Sequence, residues 1–212
     1  VINNRPLRLA VLSAGLSVPS STRLLADRLT EAVRQHLAVY GREVEVSVVE
    51  LRDLAVDVAN NLVAGFPSAR LAEAVAHVAE ADGLVAVTPV FSASFSGLFK
   101  SFFDVIDRYC LTGMPVLVGA TGGSTRHALA LDHAVRPLFA YLHAAVVPTA
   151  VYAASEDWGA EGADALPGRI DRAAGELAEL MLLRLRPGRS AGNAAEPEVV
   201  PFAQQLAALR VE

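Results

Sequence analysis

In SAGLSVPSSTR, residues 13–23, hydroxyl side chains crowd into a stretch that leads directly into a helical periodicity. Ser17, Ser20, Ser21 and Thr22 are candidates to hold a phosphate there, with Arg23 as a charge partner. The free amides and positive dipole end of a helix start favour an anion, and hydroxyls add further donors. The same residues also suit ordinary helix capping. A second segment, TPVFSASFSGLFKSFFDVID (88–107), sets Phe91 and Phe95 among serines just after an apolar run. Pro89 fixes the backbone without donating a hydrogen bond. Val90 and Phe91 can offer apolar surface, and Ser92 to Gly97 allow close approach. The alternative is a capping loop whose phenylalanines fold inward. The third segment, TGGSTRH (121–127), has two adjacent glycines after another apolar run, leaving bare main chain against which a planar group can lie. Thr121, Ser124 and nearby amides could bond a heterocycle's polar edge, and a plain tight turn is the other reading. Together the three segments suit a slot for a flat, phosphorylated cofactor.

Other chemistries find little support. There is no G-x-G-x-x-G, and GATGGST (119–125) lacks the lysine of a P-loop. No G-x-S-x-G elbow occurs. His36 and His77 fall on predicted helix faces, and His127, His133 and His143 have no metal-ligand spacing with cysteines or paired carboxylates. Cys110 is the only cysteine, so no internal disulfide can form.

Positioning these segments requires alternating strands and helices, and the hydropathy pattern supplies them. Strands are expected at Leu7–Leu12, 43–51, 83–88, 115–120 and 146–153. In 43–51 Val44, Val46 and Val48 alternate with polar residues, the mark of a half-exposed edge strand. Residues 83–88 and 115–120 are almost wholly apolar, as central parallel strands should be. Helices are expected over Thr22–Leu37, from Ser68 through Leu71, Val75 and Val78, over Ser96–Tyr109, over Thr125–Leu142 and over Arg169–Leu185. Residues 52–67 read as irregular, and 155–168 as a polar loop. The result is an α/β three-layer sandwich, flavodoxin-like, with a five-stranded parallel sheet in the order 2-1-3-4-5. In that order ligands bind at the carboxyl ends of strands 1, 3 and 4, where the three segments fall. Residues 1–186 would form this domain. Residues 187–212 would be a linker and tail, with a short amphipathic helix through Phe202, Leu206 and Leu209.

A net charge of −5 and the lack of a basic block argue against nucleic acid as a partner. No apolar run approaches the roughly 18 residues of a membrane span. The start, VINNRPLRLAVLS, lacks a signal-peptide layout, so a cytoplasmic protein is expected.

The segments 81–104 (ADGLVAVTPVFSASFSGLFKSFFD) and 118–142 (VGATGGSTRHALALDHAVRPLFAYL) resemble the NAD(P)H-dependent FMN reductases of the flavodoxin-like superfamily. The resemblance covers about residues 7 to 153. It is closest to the reductases of alkanesulfonate utilisation, which hand reduced flavin to a monooxygenase. The tail beyond 187 is similar to that of actinobacterial reductases partnered with luciferase-like monooxygenases. The resemblance implies that Ser21 and Thr22, with Ser13 and Ser20 nearby, hold the FMN phosphate. It implies that Pro89, Val90, Phe91 and Ser92 lie along the isoalloxazine, and that Thr121, Gly122, Gly123 and Ser124 turn at its pyrimidine side. Lys100 matches a lysine after the flavin loop, and a solvated helix lysine is the plainer reading. His133 stands where some relatives have a tyrosine in a π-helical distortion linked to tetramer contacts. An ordinary surface histidine is the expectation here.

The reaction so implied is hydride transfer from C4 of a nicotinamide to N5 of the flavin, with NADPH or NADH as donor. It needs no side-chain acid or base. A flavin-dependent monooxygenase is the implied partner. A homodimer or homotetramer is the implied assembly, with the Phe99/Phe102/Phe103/Ile106 face as a candidate contact. Alternatives on the same fold are a quinone or azo-dye reductase that retains FMN, and a non-enzymatic flavodoxin-type electron carrier. Arg126 is a candidate for meeting a 2′-phosphate.

Overall fold

A computed structural model describes residues 5–159 and 165–184 of the chain. The predicted tail, 187–212, lies outside the described residues.

Strand β1 (Leu7–Ser13) leads to helix α1 (Ser21–Val39), β2 (Val44–Glu50), α2 (Ala55–Ala64) and α3 (Ala69–Ala79). Next come β3 (Gly83–Phe91), the short β4 (Ser94–Phe95), α4 (Gly97–Val105) and β5 (Pro115–Gly122). The chain closes with α5 (Arg136–Tyr141), β6 (Ala145–Val146), β7 (Val151–Ala154) and α6 (Leu166–Arg184). The sheet runs β2-β1-β3-β5-β6, with β7 also pairing with β5. The predicted fifth strand is thus split in two, and the order is otherwise the expected one. Every main pairing is parallel.

Alternation along the strands builds the two outer layers. Leu7, Leu9 and Val11 face one side with α1 and α6, where Leu25, Leu29, Val33 and Leu37 form the expected buried face of α1. Ala10 and Leu12 face the other side, with α2, α3, α4 and α5. The phenylalanines of α4 belong to that second core. Phe99 and Phe102 are wholly buried, and Phe99, Phe103 and Phe139 meet edge to face. The apolar face of α4 is therefore spent inside the subunit and is not a contact surface.

Four expectations are corrected. Residues 55–64, read as irregular, form α2, whose buried residues are Val58 and Asn61. Val56, Leu62 and Val63 point outward, so no apolar stripe marked the helix. Gly65, at φ +81, closes it. The helix expected over Thr125–Leu142 is instead a 3-10 turn (Thr125–His127), a π segment (Leu131–Val135) and α5. Pro137, lacking an N–H, sits in the first turn of α5 and cannot bond the carbonyl of His133, which suits the wider winding before it. His133 is exposed and lies within that π segment. The predicted strand over 146–153 breaks at Pro148, and the Glu176 carboxylate takes up the orphaned Thr149 amide and hydroxyl at 2.7 Å each. Finally, the loop after β3 is a two-residue hairpin to β4, with Val90 opposite Phe95 and Phe91 opposite Ser94.

Candidate functional site

Parallel register puts the strand tips side by side. Ser13 pairs with Val87, Pro89 with Thr121, and Thr121 with Ala153. At these tips lies a cleft of about 360 Å³, lined by Leu16, Ser17, Ser20, Ser21, Thr22, Pro89, Val90, Phe91, Thr121, Gly122, Gly123 and Ser155. Its size falls within the range of roughly 300–1,000 Å³ usual for small-molecule sites.

The first wall is the turn from β1 to α1. Ser20 is the N-cap residue, its Oγ accepting the Arg23 amide at 3.2 Å. The amides of Ser21 and Thr22 follow in the first helical turn, where no intrahelical carbonyl can accept them. Capping and anion binding are thus compatible in one loop. A β-carbon on Gly15 would come within 2.0 Å of Ser20 Oγ, so the loop closes this tightly only around a glycine. Arg52 braces it from β2's side, its guanidinium donating to the Ser17 carbonyl at 3.0 Å.

Arg23 is not available as the charge partner that its position suggested. Its guanidinium bonds Asp27 at 2.7 Å and Glu50 at 2.5 Å, and these carboxylates hold its pKa above the ordinary value. Any anion at this wall must rely on amides, hydroxyls and the dipole of α1.

The second wall is the β3–β4 hairpin. Ser92 and Ala93 take φ of 48° and 66°, a left-handed pair that two-residue hairpin turns require and that non-glycine residues adopt at a cost. The hairpin is pinned to α4 through Thr88, whose Oγ1 accepts the Ser96 amide at 3.1 Å, while Ser96 caps α4. The two phenylalanines part company here. Phe95 turns inward, its ring 6.0 Å from that of Phe99, while Phe91 lines the cleft half exposed.

The third wall is the end of β5. Thr121 is buried, and its Oγ1 meets Thr22 Oγ1 at 2.8 Å, tying this wall to the first. The two glycines differ in kind. A β-carbon at Gly122 would lie 2.0 Å from the Tyr152 hydroxyl, so that side of the backbone is filled by protein. A β-carbon at Gly123 would meet nothing within 4 Å.

Three predicted site residues stand off the cleft wall. Ser13 is fully buried at the tip of β1, and its Oγ has no hydrogen-bond partner among the described residues. Ser92 is at the exposed hairpin tip. Ser124 begins the 3-10 turn, its carbonyl accepting from Tyr152 Oη at 2.8 Å. Ser17, a phosphate candidate in the sequence, lines the cleft, and two lining residues were missed by sequence reasoning: Leu16 and Ser155. Ser155 follows β7 immediately, and the parallel register of β5 with β7 is the signal that could have found it.

Lys100 pairs with Asp104 one turn along α4, the plain reading of a helix lysine. Arg126 is exposed in the 3-10 turn beside the third wall. Burial, with Asp107 nearby, pushes the Cys110 thiol up to about 11, which leaves it a poor nucleophile. Among the described residues no cluster of three or more His, Cys, Asp or Glu could hold a metal, and no helix is long and apolar enough to cross a membrane.

Fold and cleft define a flavodoxin-like protein whose strand-tip site offers amide and hydroxyl donors at one end and bare backbone with an apolar wall at the other. Residues 7–159 match the family model for NADPH-dependent FMN reductases. The chain is 37% identical over 186 residues to the NADH-dependent FMN reductase SfnF of Pseudomonas fluorescens, covering 87% of this chain and 97% of that one. It is 37% identical over 153 residues to an FMN reductase (NADPH) of Pseudomonas aeruginosa, covering 72% and 80%. An oxidoreductase of solved structure from Corynebacterium diphtheriae is 49% identical with a TM-score of 0.81, covering 84% and 98%. The chain belongs to the NADPH-dependent FMN reductase family. It is an oxidoreductase of FMN and a nicotinamide nucleotide.

Proposed function

We propose that the strand-tip cleft binds FMN, that the enzyme reduces it with NADH or NADPH, and that reduced FMN then leaves for a flavin-dependent monooxygenase. The observation that carries this reading is the convergence of the three loops on one cleft, with Thr22 and Thr121 hydrogen-bonded across it.

The residues present fit the group. A phosphomonoester suits the first turn of α1, where the Ser21 and Thr22 amides and the Ser17, Ser20, Ser21 and Thr22 hydroxyls gather, with no Lys or Arg among the described residues that line the cleft. The buried, unpartnered Ser13 Oγ lies just before that loop. Pro89, Val90 and Phe91 supply the wall for a flat ring system, and the amides of Gly122 and Gly123 supply donors for its pyrimidine edge. When bound, the flavin accepts a hydride from the nicotinamide. The chain's part is to orient the ring, keep one face open and stabilise negative charge on the reduced ring with backbone donors.

Among the described residues lining the cleft, Phe91 is the only aromatic one. An electron carrier that keeps its flavin clamps the ring between aromatics. A single half-exposed phenylalanine suits a flavin that enters and leaves, which favours a reductase over a carrier. The reading places the enzyme in the cytoplasm, where nicotinamide nucleotides are at hand, and as a homodimer or homotetramer.

The test is steady-state oxidation of NADH and of NADPH with FMN, FAD and riboflavin varied separately. Saturable dependence on free FMN is expected. A chromophore that survives gel filtration, with turnover of quinones and none of free FMN, would overturn flavin release. No nicotinamide oxidation at all would restore the electron carrier.

A further inference from the structure

Tyr152 lies on β7, outside all three loops. The residue is only 6% exposed, and its Oη donates to the Ser124 carbonyl at 2.8 Å. The same oxygen occupies the place where a β-carbon on Gly122 would lie, 2.0 Å away. Gly122 does not have a positive φ, so its backbone conformation alone does not call for glycine. The Tyr152 hydroxyl is what crowds a side chain there. One oxygen therefore limits the Gly122–Ser124 turn at both ends, by contact at residue 122 and by hydrogen bond at residue 124.

Tyr152 is itself held. Arg169 donates to its carbonyl at 3.2 Å and pairs with Asp157 at 3.2 Å, and Asp157 accepts the Ala154 amide at 2.8 Å. Burial, with Asp157 nearby, holds the phenol above its ordinary pKa, so it remains a hydrogen-bond donor through neutral and mildly alkaline pH.

We propose that Tyr152 is a positioning residue for the ring end of the cleft: through Ser124 and Gly122 it fixes the turn whose main chain faces the flavin ring. This rests on the reading of the cleft as a flavin site. It predicts that loosening the turn weakens the grip on the ring and leaves the grip on the phosphate alone. Riboflavin, which has the ring and no phosphate, must then lose as much affinity as FMN.

The experiment is titration of FMN and of riboflavin, followed by quenching of flavin fluorescence, on wild type, Tyr152→Phe, Gly122→Ala and the double variant. For Tyr152→Phe, Kd should rise by about three- to tenfold for both ligands, the span set by one buried hydrogen bond. Gly122→Ala forces the hydroxyl aside and should raise both constants as well. In the double variant the nearest Tyr152 atom to the new β-carbon is Cζ at 3.1 Å, a contact that small shifts relieve. It should bind no worse than Gly122→Ala alone. A merely structural tyrosine would lower the thermal midpoint without this matched loss. Unchanged Kd values in folded Tyr152→Phe would overturn the proposal, as would a loss confined to FMN or losses that multiply in the double variant. Wild-type protein that quenches neither ligand would overturn the flavin reading itself, and the proposal with it.

Discussion

The hydroxyls of Thr22 and Thr121 lie 2.8 Å apart, 99 residues apart in sequence, and both side chains are buried. Each carries one proton, so one hydroxyl donates to the other and the second proton remains for another acceptor. Because both residues line the cleft, that acceptor is expected to be the ligand. Thr121→Val removes one partner and leaves Thr22 buried without it, at a cost of about 1–3 kcal/mol in stability. Thr22→Val should cost a similar amount, and the double variant less than the sum, because neither hydroxyl is then stranded. Urea unfolding of the four proteins measures the cycle. Strict additivity would mean that the pair does not act as a unit.

At Ser21 stability and binding should move in opposite directions. Ser21 is the first residue of α1, which has no acidic residue in its first turn. Ser21→Asp places negative charge at the positive end of the helix dipole, so the thermal midpoint should hold or rise slightly. The same charge repels a phosphate. FMN affinity should fall by about tenfold or more beyond any change for riboflavin, the charge repulsion replacing a favourable anion site. Equal losses for both ligands would move the phosphate away from this wall.

The sheet order and the walls of the site were legible because they depend on local rules. Apolar runs without polar breaks marked β3 and β5, alternation marked β2 as an edge, and Ser/Thr/Gly clusters at strand ends marked the cleft. What escaped detection depends on contacts distant in sequence. Arg23 looked like a phosphate partner until Glu50, from the neighbouring strand tip, claimed it. Gly122 and Gly123 looked equivalent until Tyr152 was found against one of them. Phe91 and Phe95 looked alike until the hairpin sent one to the cleft and the other to the core. Helix α2 was missed because its outward residues are apolar, which erases the periodicity that reveals an amphipathic helix.

At the opposite end of the central strands, just before β3, Asp82 takes two bonds from Arg5, at 2.7 and 2.6 Å, and one from the Arg8 amide at 2.8 Å. Burial alone would raise its carboxyl, but Arg5 and Arg8 outweigh burial and hold it below its ordinary value of 3.8. A carboxyl whose pKa is lower in the folded state stabilises the fold above its unfolded value, and the contribution disappears as pH falls through the folded value. Asp82→Asn should therefore cost about 1 kcal/mol near neutrality, reduced from a buried pair's worth by the partial exposure of Arg5. The urea midpoints of the two proteins should converge as pH falls through Asp82's lowered folded value, with kcat/KM unaffected at neutral pH. A gap that persists in acid would assign the effect to packing instead of charge.

Gly123 offers the sharpest separation of binding from folding. Its φ is not in the left-handed range, and a β-carbon there meets no atom within 4 Å, so the fold does not need a glycine at this position. The residue nevertheless lines the cleft between Gly122 and Ser124. If bare main chain at 123 faces the flavin ring, Gly123→Leu inserts four carbons into the space that the ring requires. The variant should unfold at the wild-type temperature, within the spread of an exposed substitution, of about ±0.5 kcal/mol. Its FMN and riboflavin affinities should drop by more than about tenfold, a loss of at least 1.4 kcal/mol. Flavin quenching and thermal denaturation on the same preparation decide the matter. Wild-type affinity in a folded Gly123→Leu protein would place the ring elsewhere in the cleft, and the wall formed by Pro89, Val90 and Phe91 would then have to hold it without the β5 turn.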